Sequence, residues 1–161
     1  RGQGLRAQPQ PVCVKSRSRQ ARHQLRLKVG GVQMQALQAE MKAQDVVWLS
    51  VISSAPGKQG HVSGAKADEL TASRSALPTA VVFDESGVVG KAYDAKTTPH
   101  MYVIDKAGVL QYMGGIDSIA STKVADIDKA KPYFANAAKA VLTGNTPDPA
   151  VTKPYGCSVK Y

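Results

Sequence analysis

The chain has 161 residues, 43% of them hydrophobic and 20% charged, with a formal net charge of +9. That length suits one domain with a single core, and no stretch approaches the ~18 consecutive apolar residues that a membrane-spanning helix needs. The charge is unevenly placed: residues 1–32 hold eight Lys or Arg and no Asp or Glu, while the other 129 hold 13 basic and 12 acidic side chains. The basic excess thus belongs to the head. No aromatic residue stands there for base stacking, so nucleic-acid binding ranks last among the functions the charge allows. No apolar run follows the basic start, as a secretory signal requires. The chain begins at Arg1, as a fragment would, and the compartment stays open.

Residues 1–22 read as irregular, because Gln, Pro, Ser and Arg dominate and apolar periodicity is absent. His23 to Val29 alternates, with Leu25, Leu27 and Val29 on one side and Arg26 and Lys28 on the other, a short strand pattern that Gly30-Gly31 ends. Residues 33–44 read as a helix, with Met34, Leu37 and Met41 at helical spacing. Val46 to Ser53 is a continuous apolar run with the bulk of a buried strand. Ser54-Ala55-Pro56-Gly57 is loop chemistry. Residues 62–76 read as a polar, Ala-rich helix, Thr79 to Phe83 as a second buried strand, and Val88 to Tyr93 as a short helix. Met101–Ile104 and Val109–Tyr112 form a hairpin whose link, Asp105-Lys106-Ala107-Gly108, ends in the glycine a positive φ requires. Residues 125–142 read as an amphipathic helix that restarts at Pro132 and stops at Gly144. The tail 145–161 runs extended.

Three parts follow: a basic irregular segment (1–32), an α/β domain (33–144) and an extended tail (145–161). Strands separated by helices imply parallel pairing with right-handed crossovers, and the closing hairpin makes the sheet mixed.

Thr97-Thr98-Pro99-His100-Met101-Tyr102-Val103-Ile104-Asp105, followed by Gly108-Val109-Leu110-Gln111-Tyr112, resembles the cis-proline loop and closing hairpin of redoxin-domain thioredoxin-fold proteins. Met34-Gln35-Ala36-Leu37-Gln38, Val47-Trp48-Leu49, Ser53 to Gly60, and Pro154-Tyr155-Gly156-Cys157-Ser158-Val159-Lys160-Tyr161 resemble one bacterial branch of that group, in the same order. The resemblance covers about residues 33–161. It implies a thioredoxin-like mixed sheet flanked by helices, and an alkyl-hydroperoxide-reductase or thiol-specific-antioxidant type of chemistry. In such proteins a cysteine stands at the start of the first helix, where the helix N-terminus favours the thiolate. A cis-proline loop faces that sulfur and offers backbone groups to a substrate. Pro99 would be this residue, with Thr98 before it and His100 after it as further substrate contacts.

One part of the pattern is missing. The Asn-Pro-x-Cys-Pro-Phe segment expected upstream of Met34 falls on Gln20-Ala21-Arg22-His23-Gln24, which has no cysteine, and Cys13 lies too far upstream to align. The N-terminal part of the fold is therefore incomplete or aberrant, as an out-of-frame or misassembled gene start would leave it. Residues 1–22 are expected to pack loosely. The central slot of the sheet would then have to be filled by the His23–Val29 segment, an imperfect fit given Arg26 and Lys28.

Two thiols, Cys13 and Cys157, are the candidate catalytic groups. They form one disulfide, a redox pair or neither, and their spacing excludes a CxxC motif and a zinc knuckle. The resemblance gives Cys157 the part of a resolving thiol; its other reading is a tail thiol without a partner. His23, His61 and His100 are not spaced as a metal site, and Ser53-Ser54 with Gly57 and Gly60 lacks the Lys-Ser/Thr ending of a phosphate loop, so no metal and no cofactor is expected. Asp84, Asp105 and Asp117 stand at strand ends and turns, where they cap. The functions in competition are a thiol-based oxidoreductase and a non-catalytic thioredoxin-fold binding module. The oxidoreductase would be a peroxidase or a disulfide reductase, using a peroxide or a protein or small-molecule disulfide and a thiol electron donor. The missing cysteine motif favours the binding module for the chain as it stands.

Overall fold

The structure, a computed structural model, describes residues 34–121 and 123–161 and, for Val12–Val14 and Val124, the backbone alone. Strand β1 is Val12–Val14 and helix α1 covers 34–42. There follow β2 (Val47–Ile52), α2 (Gly64–Ser73), β3 (Ala80–Phe83), α3 (Val88–Ala92) and β4 (Thr97–Thr98). The hairpin is β5 (Met101–Ile104) and β6 (Leu110–Gly114), then come α4 (Tyr133–Leu142) and β7 (Cys157–Ser158).

Five strands form one mixed sheet in the order β3-β2-β1-β5-β6. β1 and β3 run parallel to β2, while β5 runs antiparallel to β1 and to β6. β4 and β7 make a separate antiparallel pair. The alternation of strand side chains sorts the sheet's two faces. Val46, Trp48, Met101, Val103 and Tyr112 point to one face, where Leu37 and Met41 of α1 and Phe134, Ala137 and Ala138 of α4 complete the core. Trp48 and Phe134 meet edge to face with ring centroids 5.5 Å apart. Val51 and Tyr102, the intervening residues, face α3 across a small cavity.

Local chemistry accounts for the element ends. Pro132 caps α4, so the amphipathic stretch from 125 divides into a short 3-10 turn, Val124–Asp126, and the helix proper. Ser63 caps α2 by accepting from the Lys66 amide. At the hairpin, Gly108 has φ +84°, and the Asp105 carboxylate accepts from the Ala107 and Val109 amides and from Gln111 Nε2.

The centre of the sheet corrects the sequence expectation. Residues 12–14, expected in an irregular segment, form the central strand. Val12 pairs with Val47 and Ile104, and Cys13 with Trp48 and Val103. Val-Cys-Val is free of charge along its whole length, as a strand with neighbours on both sides requires. His23–Val29, the expected occupant, lies outside the described residues.

Candidate functional site

The loop between α3 and β5 carries the site. Thr98–Pro99 is a cis peptide bond, as is Asp148–Pro149 in the tail. Thr98 is buried, Pro99 half-buried, and the Thr97 hydroxyl donates to the Pro99 carbonyl at 2.9 Å, closing the loop on itself. Across from it lies the C-terminal tail. Thr97 is in register with Ser158 and Thr98 with Cys157. The pairing continues beyond β7, because the Val159 amide donates to the Lys96 carbonyl (3.1 Å) and the Ala55 amide to the Lys160 carbonyl (3.0 Å). The Tyr161 hydroxyl then donates to the Ala95 carbonyl at 2.8 Å, with the Lys91 ammonium 5.3 Å from the ring centroid. Cys157 is a free, half-buried thiol at this edge.

Gly156 makes the approach possible. With φ +140°, it lies so close to the loop that an added Cβ would stand 2.2 Å from the Thr98 carbonyl oxygen. Sequence reasoning did not single out this residue. The signal was present: a glycine inside an otherwise extended run marks close backbone contact.

His100 is turned into the interior, only 2% exposed. Its ring therefore lies inside the fold rather than on the surface of the loop. Its Nδ1 lies 2.8 Å from the Tyr102 hydroxyl, and that hydroxyl donates to the Tyr93 carbonyl at 3.0 Å. The Lys96 amide also donates to Nδ1, at 3.4 Å, so this nitrogen acts as an acceptor. Nε2 has no hydrogen-bond partner among the described residues. A proton on Nε2 is buried without an acceptor, and one added to Nδ1 would displace the Lys96 amide. Burial accordingly pushes the His100 pKa down to about 4, with Asp94 opposing the shift and Lys96 adding to it. Burial likewise raises the pKa of the Tyr102 phenol. The cavity beside this pair, of about 10 Å³, is lined by Val51, Ser53, Val89, Gly90, Tyr93, Ala95, His100 and Tyr102. It is large enough for one water.

Asp84 fixes the opposite wall of that cavity. It is 5% exposed and accepts from the Ser53 hydroxyl (2.7 Å), the Val89 amide (3.1 Å) and the Gly90 amide (2.8 Å). Burial works to raise its pKa, but the hydrogen bonds from Gly90, Ser53 and Val89 outweigh it and hold the carboxyl below its ordinary value. Asp84 and Asp105 thus cap backbone groups, and Asp117 does so at the Ile119 amide while accepting from the Tyr155 hydroxyl at 2.6 Å.

Of the residues the sequence nominated, the structure brings Thr98, Pro99, His100 and Cys157 to one loop. Cys13 is placed elsewhere, inside β1 rather than at the start of α1. Among the described residues no group of three or more His, Cys, Asp or Glu could hold a metal ion, and no helix is long and apolar enough to cross a membrane.

The fold has solved counterparts. A hypothetical protein from Sinorhizobium meliloti 1021 superposes with TM-score 0.73 at 18% identity, over 96% of this chain and 81% of its own. An uncharacterized conserved protein from Geobacillus kaustophilus gives TM-score 0.72 at 18% identity, over 95% and 78%. A thioredoxin-like protein solved in its oxidized form gives TM-score 0.57 at 16% identity, over 89% and 87%. No protein-family model and no curated protein matches the chain. The likeness, with the mixed sheet flanked by helices, shows that this chain has a thioredoxin-like fold.

Proposed function

We propose that this protein is a thiol-dependent oxidoreductase acting on a disulfide or a peroxide, with Cys157 as its reacting sulfur. The observation that carries the reading is the backbone register of Cys157 with Thr98, directly before the cis-proline. In the redoxin proteins that the sequence resembles, the working sulfur faces this loop, and Cys157 is the thiol found beside it. With a disulfide, the Cys157 thiolate attacks one sulfur. A mixed disulfide forms, the substrate S–S bond breaks, and the departing thiolate takes a proton from water. A donor thiol then attacks Cys157 in the mixed disulfide and releases the second substrate thiol, and a second donor thiol attacks the resulting Cys157–donor disulfide, so that the two donor thiols leave as a disulfide and Cys157 is regenerated. With a peroxide, the thiolate takes one oxygen as a sulfenic acid, the other leaves as water or alcohol after protonation, a donor thiol condenses with loss of water to give a Cys157–donor disulfide, and a second donor thiol reduces it and leaves with the first as a disulfide.

The placement of Cys13 favours a second reading. Its backbone is locked between Trp48 and Val103 within β1, not at a helix start where a thiolate is stabilised. In that reading the chain is a thioredoxin-fold binding module without catalysis. Intact-mass thiol trapping near pH 7, with turnover of peroxide and of a protein disulfide by a donor thiol, separates the two. The oxidoreductase reading expects rapid labelling at Cys157 and turnover that Cys157→Ser abolishes. Slow labelling and no turnover by the unmodified chain would establish the binding module.

A further inference from the structure

The two edges of the five-stranded sheet differ. The β6 edge is covered by the tail, where the Met113 amide donates to the Ala150 carbonyl and the Thr152 amide to the Met113 carbonyl, both at 3.0 Å. At the opposite edge, β3 pairs among the described residues with β2 alone. The Asp84 amide donates to the Ile52 carbonyl at 3.0 Å, so by the alternation of a strand the amides and carbonyls of Val81 and Phe83 point away from β2. Bare edges are ordinarily blunted by charge, proline or a bulge. Ala80–Phe83 reads Ala-Val-Val-Phe, keeps an unshifted register with β2 and carries none of these. Exposed apolar side chains accompany it: Phe83 is 40% exposed, Leu77 41% and Val88 67%. We propose that β3 is the interface of a homodimer, in which it pairs antiparallel with β3 of a second copy and joins the two five-stranded sheets into one.

The strip matches itself. A two-fold axis at Val82 sets Val81 opposite Phe83 of the second copy and Phe83 opposite its Val81, and each of these pairs exchanges main-chain bonds in both directions. Val81 and Phe83 lie on one face of the strand, so each exposed phenyl ring gains the other copy's valine as a cross-strand neighbour. Charge favours the same direction. Arg74, exposed, precedes the strand, and Glu85, also exposed, follows it. Antiparallel docking brings these unlike ends together, whereas parallel docking would set like charges side by side. Four residues span roughly 13 Å, so the contact is small and the dimer should be weak, dissociating in the micromolar range. This inference goes beyond the redox reading and needs no thiol chemistry.

The test is sedimentation velocity of the full-length chain in reducing buffer, which removes disulfide-linked species. The unmodified protein should pass from monomer to dimer as its concentration rises from about 1 to about 300 µM. Phe83→Lys puts a charge on the strip and should weaken association about tenfold or more. Its unfolding midpoint checks that the variant is folded. Amide hydrogen exchange on the unmodified protein supplies a readout independent of any variant. The Val81 and Phe83 amides should exchange at least about threefold more slowly at the highest concentration than at the lowest, in step with the dimer fraction. A monomer throughout, or association that folded Phe83→Lys leaves intact, overturns the proposal. So does protection of both amides at every concentration, which would mean that another segment of this chain covers β3. Because the measurements are made on reduced protein and do not read Cys157, failure here leaves the thiol-trapping result standing, and the converse holds too.

Discussion

His100 and Tyr102, two residues apart in β5 and the loop before it, stack at 4.5 Å between ring centroids and share the contact between Nδ1 and the phenolic hydroxyl. The pair holds a neutral imidazole inside the fold, with a pKa of about 4. In the unfolded chain a histidine titrates near ~6.5. Between these values the unfolded state binds the proton and the native state does not, so stability rises with pH. The contribution is complete above ~6.5 and is lost as pH falls to about 4, a change of about 3 kcal/mol. Denaturant melts from pH 7 to pH 4 should show this slope. In His100→Phe the slope should flatten over that window, even though baseline stability falls with the lost Tyr102 contact. An unchanged slope would assign the acid sensitivity to other groups.

Asp84 should respond in a separate range. Its carboxyl is held below the ordinary value, so its stabilisation is present above the unfolded pKa of ~3.9 and is lost only at more acid pH. Asp84→Ala leaves the Ser53 hydroxyl and the Val89 and Gly90 amides without their acceptor. The expected cost is about 3 kcal/mol, seen as a lower denaturant midpoint. Asp84→Asn keeps one acceptor oxygen and should recover part of that loss. If Asn proves as damaging as Ala, charge rather than hydrogen bonding sets the value of this site.

The core makes a simpler prediction. Phe134 is 1% exposed and meets the edge or face of both Trp48 and Tyr112. Phe134→Ala should cost about 4 kcal/mol, while Phe134→Leu should cost less than half of that. Parallel thermal and urea unfolding of the two variants measures the ratio.

Much of this architecture could be read from the sequence because its signals are long. Met34, Leu37 and Met41 repeat at helical spacing, the 46–53 run is unbroken, and Asp105 with Gly108 marks the hairpin; each falls on the element expected. What escaped is short. β1 has three residues, β4 and β7 two each, and a period needs more than that to show. Val12–Val14 is also embedded among Arg, Gln and Ser, so average composition hid a locally apolar run. The cis-proline loop was legible at Thr98 and Pro99 through the resemblance. The part played by Gly156 was not, since its requirement comes from a carbonyl 58 residues earlier in the chain.

The central strand offers the sharpest contrast between what the sequence suggested and what the structure shows. β1 has neighbours on both sides, parallel to β2 and antiparallel to β5, so its backbone groups are committed in both directions. Proline removes an amide donor and its ring obstructs pairing, which a strand flanked on both sides does not tolerate. Val14→Pro should therefore remove a ladder bond to β2 or β5 and leave an acceptor unpaired, at a cost of about 3 kcal/mol or more. Cys13→Val keeps the backbone and adds only apolar bulk, and should change stability by less than ~1.5 kcal/mol. The control is Leu27→Pro, in the segment whose alternation suggested it for the same slot. If Val12–Val14 holds the centre, Val14→Pro lowers the unfolding midpoint far more than Leu27→Pro does. The opposite order would return the central position to the 23–29 segment and displace β1 from the sheet.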